Sequence, residues 1–226
     1  MQFNPRSRTS RGAMKAKRLQ RLFPRLAAIN KLVFNRRSYL AETGWLESLR
    51  RGFPCDAQGD LVPWMNYPVI AFLSARLTSE MSVFEYGSGY STLFFARRVG
   101  SVTSVEHDVI WQGHLASQLP DNARVIHREL DSDGQYCRAI AATNDRYDVV
   151  VVDGRDRVNC VKQSLRRLSP SGVLILDDSR RVRYVEAHDH VRELGYRAIG
   201  FQGLKPGDKV LDETTVFYRD GNCFNI

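Results

Sequence analysis

The chain has 226 residues, 43% of them hydrophobic, which suits one α/β domain with a buried core and an added segment. No apolar run approaches the roughly 20 residues that a membrane-spanning helix requires. The four cysteines are scattered without a C-x-x-C pair, so we expect free thiols in a reducing, cytoplasmic environment and no zinc site.

The net charge of +8 comes from the N-terminus alone. Residues 1–41 contain 11 lysines and arginines and no acid, and the rest of the chain has 22 basic against 25 acidic residues. We therefore predict a basic, partly helical extension over residues 1–40 and a single domain over residues 41–226. Because the domain is mildly acidic, we do not expect nucleic acid as a partner.

Several functions are compatible with such an extension. Acid-free, arginine-rich N-termini occur as organelle transit peptides, as arms that bind anionic membranes or nucleic acid, and as solvated leaders. Apolar residues recur at helical spacing from Leu22 to Val33, and Pro24 suits the first turn of a helix. We expect a helix that begins there and packs on the domain. Peripheral contact with the inner membrane surface is the alternative.

Downstream of the extension, helix-like and strand-like segments alternate. Short helices are predicted over residues 43–49 and 67–77, and the clearest helix over residues 157–168. Strand-like runs begin near Ser82, Ser101, Ala123, Tyr147, Gly172 and Tyr196. The uninterrupted apolar runs at 149–152 and 173–176 are typical of strands buried on both faces, as in a parallel sheet covered by helices.

The last strand-like run, residues 214–219, follows the sixth strand with no helix between them. It must return antiparallel through the loop over residues 202–212, because a parallel connection requires a longer crossover. We predict an α/β fold with a Rossmann-like sheet of seven strands, mostly parallel with the last strand antiparallel, and helices on both faces.

The most informative motif is V-F-E-Y-G-S-G-Y-S-T, which begins at Val83 and reads as a strand, a glycine turn and a helix start. Gly87 and Gly89 allow a sharp turn and the close approach of a ligand. Glu85 precedes these glycines, where a carboxylate would repel the pyrophosphate of a dinucleotide. The motif therefore favours a ligand that carries positive charge.

A second acid, Glu106, ends the next strand-like run, 21 residues after Glu85. An acid at this position accepts hydrogen bonds from ribose hydroxyls. Each feature alone is also compatible with a tight turn and a solvated strand end. Together, E-x-G-x-G and the second acid resemble the motifs of class I S-adenosylmethionine (SAM) methyltransferases, whose ligand has a sulfonium and an amino group. The resemblance implies SAM as the cofactor.

The resemblance also implies where the cofactor lies. Ligands of open α/β sheets bind beyond the carboxyl ends of the strands, so the residues just after each strand are the candidates. The predicted cofactor-binding residues are Glu85, Gly87, Ser88, Gly89, Ser91, Glu106, His107, Asp131 and Asp153. Among them, Ser91 is also a candidate cap of the following helix, and Asp131 is expected beside the adenine.

Three carboxylates, Asp153, Asp177 and Asp178, follow the fourth and fifth strands and should lie together. They repel one another unless a divalent cation or arginines neutralise them. The arginines beside them are Arg155, Arg157, Arg180 and Arg181. Ion pairs with the neighbouring acids are expected for at least two of these arginines, and an acidic substrate is the alternative partner.

The acidic positions resemble those of catechol-type O-methyltransferases, in which an Asp and an Asp-Asn pair hold Mg²⁺. This chain departs from them in having an Asp-Asp pair and a glycine loop two residues shorter. The resemblance implies that Asp153, Asp177 and Asp178 hold Mg²⁺, and that the metal binds an acceptor hydroxyl and lowers its pKa. Without a metal, Asp153 or Asp177 is the candidate general base.

The strings V-E-H-D at 105–108, V-D-G-R-D-R at 152–157 and G-N-C-F at 221–224 add a narrower resemblance. They resemble bacterial methyltransferase-24, or FkbM-like, proteins over roughly residues 40–226. This resemblance implies O-methylation of a hydroxyl on a small molecule or glycan. Two alternatives stay open: an aminopropyltransferase that uses decarboxylated SAM, and a non-catalytic SAM-binding protein that docks through its basic arm.

Overall fold

The computed structural model describes residues 21–226, and a seven-stranded sheet forms its centre. The strands are β1 (Ser82–Tyr86), β2 (Ser101–Glu106), β3 (Ala123–His127), β4 (Tyr147–Val152), β5 (Leu168–Leu176), β6 (Arg197–Leu204) and β7 (Leu211–Tyr218). Their spatial order is β3-β2-β1-β4-β5-β7-β6. Strands β1 to β5 pair in parallel, and β7 runs antiparallel to both β5 and β6. The predicted sheet is confirmed.

Helices surround this sheet. They are α1 (Pro24–Leu32), α2 (Tyr39–Glu42), α3 (Trp45–Arg51), α4 (Tyr67–Ser74), α5 (Tyr90–Ala96), α6 (Val109–Ala116), α7 (Arg157–Ser164) and α8 (Val185–Glu193). Short 3₁₀ turns occur at Ala139–Thr143 and Val182–Tyr184. The switch in strand order lies between β1 and β4, where the chain leaves β1 for one edge of the sheet and returns to β4 on the other side.

The two faces of the sheet carry separate hydrophobic cores, and strand β4 contributes to both. Val149 and Val151 pack in one core, while Val150 and Val152 pack in the other. All four side chains are fully buried. Because side chains alternate along a strand, an unbroken apolar run requires cover on both faces, as the run of valines predicted.

The predicted helix over residues 157–168 ends earlier, at Ser164. Strand β5 already begins at Leu168, which pairs with Tyr147, and an irregularity then shifts the register before Val149 pairs with Val173. Gly172 lies in this bulge, where a Cβ would lie 2.9 Å from the Tyr147 carbonyl oxygen. The extra residues of the bulge interrupt the alternation of side chains along the strand, so the sequence pattern assigned this start of β5 to the end of the preceding helix.

Helix α1 begins at Pro24, as predicted, but none of its residues is buried. The expectation that it packs on the domain is therefore wrong. The exposed large apolar side chains of this segment are Leu22, Phe23, Leu26, Ile29, Leu32, Val33 and Phe34. The predictions for residues 1–20 lie outside the described residues, and the domain boundary at residue 40 stays a prediction.

Within residues 21–226, no helix combines the length and apolar content needed to cross a bilayer. All four cysteines are free thiols, as expected.

Candidate functional site

The glycine loop after β1 is shaped by a close contact with the loop after β4. Gly87 has φ +89°, and a Cβ on it would lie 2.9 Å from the Gly154 Cα. Gly89 has an extended backbone, and a Cβ there would meet only the Trp111 ring, at 3.8 Å. The turn therefore requires a glycine at position 87, whereas the lack of a side chain at Gly89 leaves space for a ligand to approach the backbone.

Glu85 lies beneath this loop and is fully buried. Its Oε2 accepts hydrogen bonds from the hydroxyls of Thr92 and Ser104, and the Thr92 hydroxyl in turn accepts the Gly89 N–H at 3.0 Å. Burial raises the pKa of Glu85 to about 7, against the lowering effect of the Ser91, Thr92 and Ser104 hydroxyls. Direct contact between Glu85 and the cofactor is contradicted, because the carboxyl has no exposed surface. Glu85 instead supports the loop from below.

Glu106, at the end of β2, is the acid that organises the loop edge. Its Oε2 accepts from the Ser88 backbone N–H at 3.0 Å and from the Ser88 hydroxyl at 3.2 Å. Its Oε1 accepts the backbone N–H groups of His107 and Asp108 at 2.8 and 2.9 Å. The carboxylate thus joins the ends of β1 and β2. Oε1 also lies 2.8 Å from His107 Nδ1. The hydrogen bond from the Ser88 hydroxyl is the longest of these contacts and is the one that a ribose hydroxyl can most readily replace.

The remaining predicted cofactor residues lie around this edge. The His107 ring is half-buried and meets the Tyr136 ring edge-on at 6.0 Å. Asp131 is exposed after β3, with its carboxylate 3.4 Å from the Tyr136 N–H. Ser91 is buried in the first turn of α5 beside Glu85, and it is Thr92 that caps this turn. The adenine-side role of Asp131 stays a prediction.

The predicted carboxylate cluster forms at the ends of β4 and β5. Oxygen atoms of Asp153, Asp177 and Asp178 all lie within 4.8 Å of one another. Asp178 has φ +53°. This left-handed turn lets its carboxylate and that of Asp177 reach the same cation, although adjacent strand residues normally point apart.

That cation is Lys205, which follows β6. Its Nζ lies 2.6 Å from Asp177 Oδ2, 2.7 Å from Asp178 Oδ1 and 2.7 Å from Asp212 Oδ2. Burial lowers the pKa of the ammonium, but the carboxylates of Asp177 and Asp153 outweigh it, so the pKa lies above the ordinary 10.5. Lys205 therefore stays charged and neutralises the cluster from inside.

Arginines neutralise the rest of the cluster. Arg157 Nη2 lies 2.8 Å from Asp153 Oδ1, and its Nη1 lies 3.3 Å from Asp178 Oδ2. Arg181 pairs with Asp178 at 2.6 Å. Two of the four neighbouring arginines thus form ion pairs with the acids, as expected from the sequence.

Asp177 is not available as a general base. It is fully buried, its Oδ1 accepts from the Thr214 hydroxyl at 2.6 Å, and its Oδ2 accepts from Lys205. A base must reach the proton that it removes, so the predicted catalytic role of Asp177 is contradicted.

Asp153 has the opposite environment. Its side chain is 24% exposed, and among residues 21–226 no donor reaches its Oδ2. Burial of part of the group and the neighbouring Asp177 carboxylate raise its pKa well above the ordinary 3.8, and Arg157 opposes this rise. A carboxylate with a free oxygen and a raised pKa is suited to accept a proton.

Asp153 opens into a cleft of about 490 Å³ over the carboxyl ends of β4 and β5. The lining includes Trp64, Asp178, Arg180, Arg181, Lys205 and Asp208. Since the glycine loop touches the Asp153–Gly154 backbone, this cleft adjoins the predicted cofactor site. It has the position and size of an acceptor site.

Sequence reasoning missed Lys205, Asp212 and Thr214, all of which lie at the β6–β7 hairpin. The prediction that the last strand is antiparallel could have indicated these residues. A hairpin between a parallel strand and an antiparallel one must turn at the carboxyl edge of the sheet, where the site lies.

Comparisons with known proteins agree with this geometry. Residues 84–179 match the sequence model of the methyltransferase-24 family, a methyltransferase domain. No curated protein matches the chain in sequence.

Solved structures show the same fold. The O-methyltransferase TomG from Streptomyces achromogenes, in complex with SAM, is 18% identical with a TM-score of 0.55, over 80% of this chain and 87% of TomG. Precorrin-6y C5,15-methyltransferase from Geobacter metallireducens is 13% identical with a TM-score of 0.51, over 68% and 88%. Precorrin 8W decarboxylase from Methanobacterium thermoautotrophicum is 20% identical with a TM-score of 0.51, over 67% and 87%.

Proposed function

We propose that this chain, whose motifs and fold are those of the class I SAM-dependent methyltransferases, transfers a methyl group from SAM to a hydroxyl oxygen of an anionic small molecule or glycan. The observation that carries the proposal is the position of Asp153. Its partly exposed carboxylate stands between the glycine loop and the 490 Å³ cleft, with one oxygen free. This is where a base for an acceptor hydroxyl is required.

The glycine loop and its partners fit SAM. Gly89 leaves its backbone open, and Glu106 presents a carboxylate to which ribose hydroxyls can bind once the Ser88 hydroxyl moves aside. The Glu85–Thr92–Gly89 hydrogen bonds hold the loop in place before the cofactor arrives. When bound, SAM supplies a methyl group on a positively charged sulfur.

In the proposed reaction, the chain aligns the acceptor and removes its proton. The bond between the acceptor oxygen and the methyl carbon forms as the bond from that carbon to sulfur breaks, and the hydroxyl proton goes to Asp153 Oδ2. Arg157 holds Asp153 through Oδ1 at 2.8 Å, which fixes the direction of the free oxygen. Most of the rate enhancement would come from this alignment.

Four acids (Asp153, Asp178, Asp208 and Asp212) and three bases (Arg180, Arg181 and Lys205) line the cleft. Asp178 and Asp212 are paired with Lys205, so the two arginines are the cations left to bind an anionic acceptor. Arg180 and Arg181 line the cleft, and Arg181 remains 47% exposed beyond its pair with Asp178. Guanidinium groups bind carboxylates and phosphates through paired hydrogen bonds. A polyamine, the acceptor of an aminopropyltransferase, would meet these arginines, so that alternative is disfavoured.

A divalent metal is not part of this proposal, because the residues do not fit one as they stand. The oxygens of Asp177 and Asp178 that would bind it already contact Lys205, Thr214, Arg157 or Arg181. Two of the three predicted Mg²⁺ ligands, Asp177 and Asp178, are therefore occupied by the chain's own donors, and only Asp153 keeps an oxygen free of donors from residues 21–226.

The test is methyl transfer from radiolabelled SAM to a panel of hydroxylated anions, namely uronic acids, sugar phosphates and hydroxybenzoates. With an acceptor found, Asp153→Asn should lower kcat by about 100-fold or more, in the range of general-base loss. Its SAM affinity, measured by calorimetry, should stay within a few-fold of wild type.

Asp189→Asn is the matched control. Asp189 is an exposed acid on α8 that does not line the cleft, so the variant should keep its kcat. Full activity of Asp153→Asn would reject Asp153 as the base. Absence of SAM binding to the wild-type chain would reject the methyltransferase function.

We also propose that the N-terminal segment binds anionic membrane surfaces. Helix α1 leaves Leu26, Ile29 and four other large apolar side chains of residues 22–33 exposed, and residues 1–41 carry 11 basic groups and no acid. Apolar contact and attraction to anionic lipids act together in such helices.

Flotation of the full chain with phosphatidylglycerol-containing vesicles tests this second proposal. Binding should be strong with these vesicles, weak with pure phosphatidylcholine, and reduced about tenfold by the double change Leu26→Asp and Ile29→Asp. Ile110→Asp alters a side chain that is 82% exposed on the domain and should leave binding unchanged. Equal binding by all variants would reject the proposal.

A further inference from the structure

The most unusual feature outside the glycine loop is the buried ammonium group of Lys205. An ammonium group has three protons, and three different carboxylates, those of Asp177, Asp178 and Asp212, lie within 2.6–2.7 Å of Nζ. The side chain is 11% exposed. All of its hydrogen-bonding capacity is therefore directed into the protein, and none is left for a substrate.

The arrangement has the form of an occupied cation site. Three carboxylates contact the lysine, and an oxygen of a fourth, Asp153, lies within 4.8 Å of those of Asp177 and Asp178. Arg157 and Arg181 reach the outer oxygens. Oxygen ligands from several carboxylates that converge on one point are what a hard divalent cation requires. Here that point is the position of Nζ.

We propose that the Lys205 ammonium is a built-in cation that takes the place of a divalent metal among these carboxylates, and that its removal converts the cluster into a divalent-cation site. On the proposed function, Lys205 is a positioning residue. Its three contacts hold the carboxylates of Asp177, Asp178 and Asp212 in place, so that Asp153 acts as base without a metal.

The geometry also selects the probe ion. Oxygens 2.6–2.7 Å from a common centre are close to the distances of Ca²⁺, about 2.3–2.6 Å, and too long for Mg²⁺, at about 2.0–2.1 Å. A cluster vacated by Lys205 should therefore bind Ca²⁺ more readily than Mg²⁺.

Calorimetric titration of Ca²⁺ and Mg²⁺ into the full chain tests the proposal without any need for activity. Wild type should bind neither ion in the millimolar range, and Lys205→Ala should bind one Ca²⁺ at least about tenfold more tightly. Its unfolding temperature should fall without Ca²⁺ and rise again with it. Lys209→Ala removes an exposed lysine of the same hairpin and should behave as wild type.

If Lys205→Ala does not fold without Ca²⁺, it should fold when Ca²⁺ is added, and failure to fold with millimolar Ca²⁺ would count against the proposal. A charge-balanced variant, Lys205→Met with Asp212→Asn, removes one cation and one ligand together, so it should fold and bind no Ca²⁺. Tight stoichiometric binding of either ion to wild type, or Ca²⁺ binding by this variant equal to that of Lys205→Ala, would overturn the proposal. Loss of thermal stability on dialysis of wild type against a chelator would also overturn it.

SAM titration of the same proteins separates this proposal from the proposed function. Lys205 does not contact the glycine loop or Glu106, so Lys205→Ala should bind SAM as wild type does. If no variant binds SAM but Ca²⁺ binds only to Lys205→Ala, the built-in cation stands and the methyltransferase function fails.

Discussion

Two glutamates of the cofactor motifs have different tasks in the folded chain. Glu106 presents its carboxylate at the loop edge and binds the backbone of two strand ends, whereas Glu85 is sealed beneath the loop. Burial of a carboxyl group that has few hydrogen-bond donors favours its protonated form. The stability of the folded chain therefore depends on pH through this group. The same residue type thus joins two strand ends in one place and supports the glycine loop in the other.

Glu85→Gln should change the pH dependence of stability. The ordinary pKa of this carboxyl is 4.5 and its folded value is about 7, so between these values the folded chain holds a proton that the unfolded chain releases. As the pH rises from about 4.5 to 7, the contribution of Glu85 therefore lowers the free energy of unfolding of the wild type by about 3 kcal/mol. Above pH 7 this contribution stays constant. The glutamine variant lacks this component.

Urea unfolding at pH 5, 6, 7 and 8 measures the effect as the difference between variant and wild type. Glu80→Gln, at an exposed site, is the control and should run parallel to wild type. If the unfolding free energy of Glu85→Gln also runs parallel to that of the wild type, Glu85 is ionised in the folded chain at all four pH values.

Glu106→Gln should weaken SAM binding. An amide offers one acceptor oxygen in place of two, so it cannot serve both the Ser88 and His107 backbones and a ribose. We expect the calorimetric Kd for SAM to rise about 10- to 100-fold, the loss of one or two charge-assisted hydrogen bonds. A Kd equal to that of Glu80→Gln would exclude Glu106 from the cofactor site.

At the scale of elements, the site depends on two loops that touch through glycines. A Cβ on Gly154 would lie 2.0 Å from the Tyr136 hydroxyl oxygen and 2.9 Å from the Gly87 nitrogen. The Tyr136 hydroxyl is buried, with no hydrogen-bond partner among residues 21–226. The loops after β1 and β4 can therefore approach only while position 154 has no side chain.

Gly154→Ala should destabilise the chain by about 1–3 kcal/mol, the usual cost of overpacking. Tyr136→Phe removes the oxygen nearest to the new methyl group, so the double variant should recover part of this loss. Thermal unfolding of the four proteins in a double-mutant cycle measures the coupling. Strictly additive losses would mean that the loop moves as a whole, away from Tyr136.

At the scale of the whole molecule, charge is divided between two regions. The N-terminal segment carries the entire positive excess, and helix α1 buries none of its residues. The domain, by contrast, has a cluster of acids at the carboxyl edge of the sheet, which Lys205, Arg157 and Arg181 neutralise. Catalysis and surface attachment are therefore expected to be separable.

Removal of residues 1–37 should leave the unfolding temperature within about 2 °C of the full chain, because no residue of α1 is buried. Ser38 loses its hydrogen bond to the Leu32 carbonyl but still caps α2. SAM affinity should be unchanged, and binding to anionic vesicles should disappear. A fall of more than about 5 °C would indicate that the segment contributes to the folded core.

The order of elements, the antiparallel last strand and the acids at strand ends could all be predicted from local patterns. An apolar run of four valines requires cover on both faces, and a glycine turn after a strand requires a site at its carboxyl end. The positions of Glu106, Asp153 and Asp178 at one edge follow from these rules. For the same reason, the grouping of Asp153, Asp177 and Asp178 was predictable.

The roles within that edge were decided by the tertiary structure. Whether Glu85 faces a ligand or lies beneath the loop depends on which hydroxyls pack against it, and Ser104 comes from another strand. Whether the carboxylates hold a metal or a lysine depends on the position of Lys205. This residue lies 27 residues beyond Asp178 and contacts it because β7 lies between β5 and β6 in the sheet. The periodicity of the sequence shows which face of the sheet a residue occupies. The order of the strands in the folded chain determines which charged groups lie next to it.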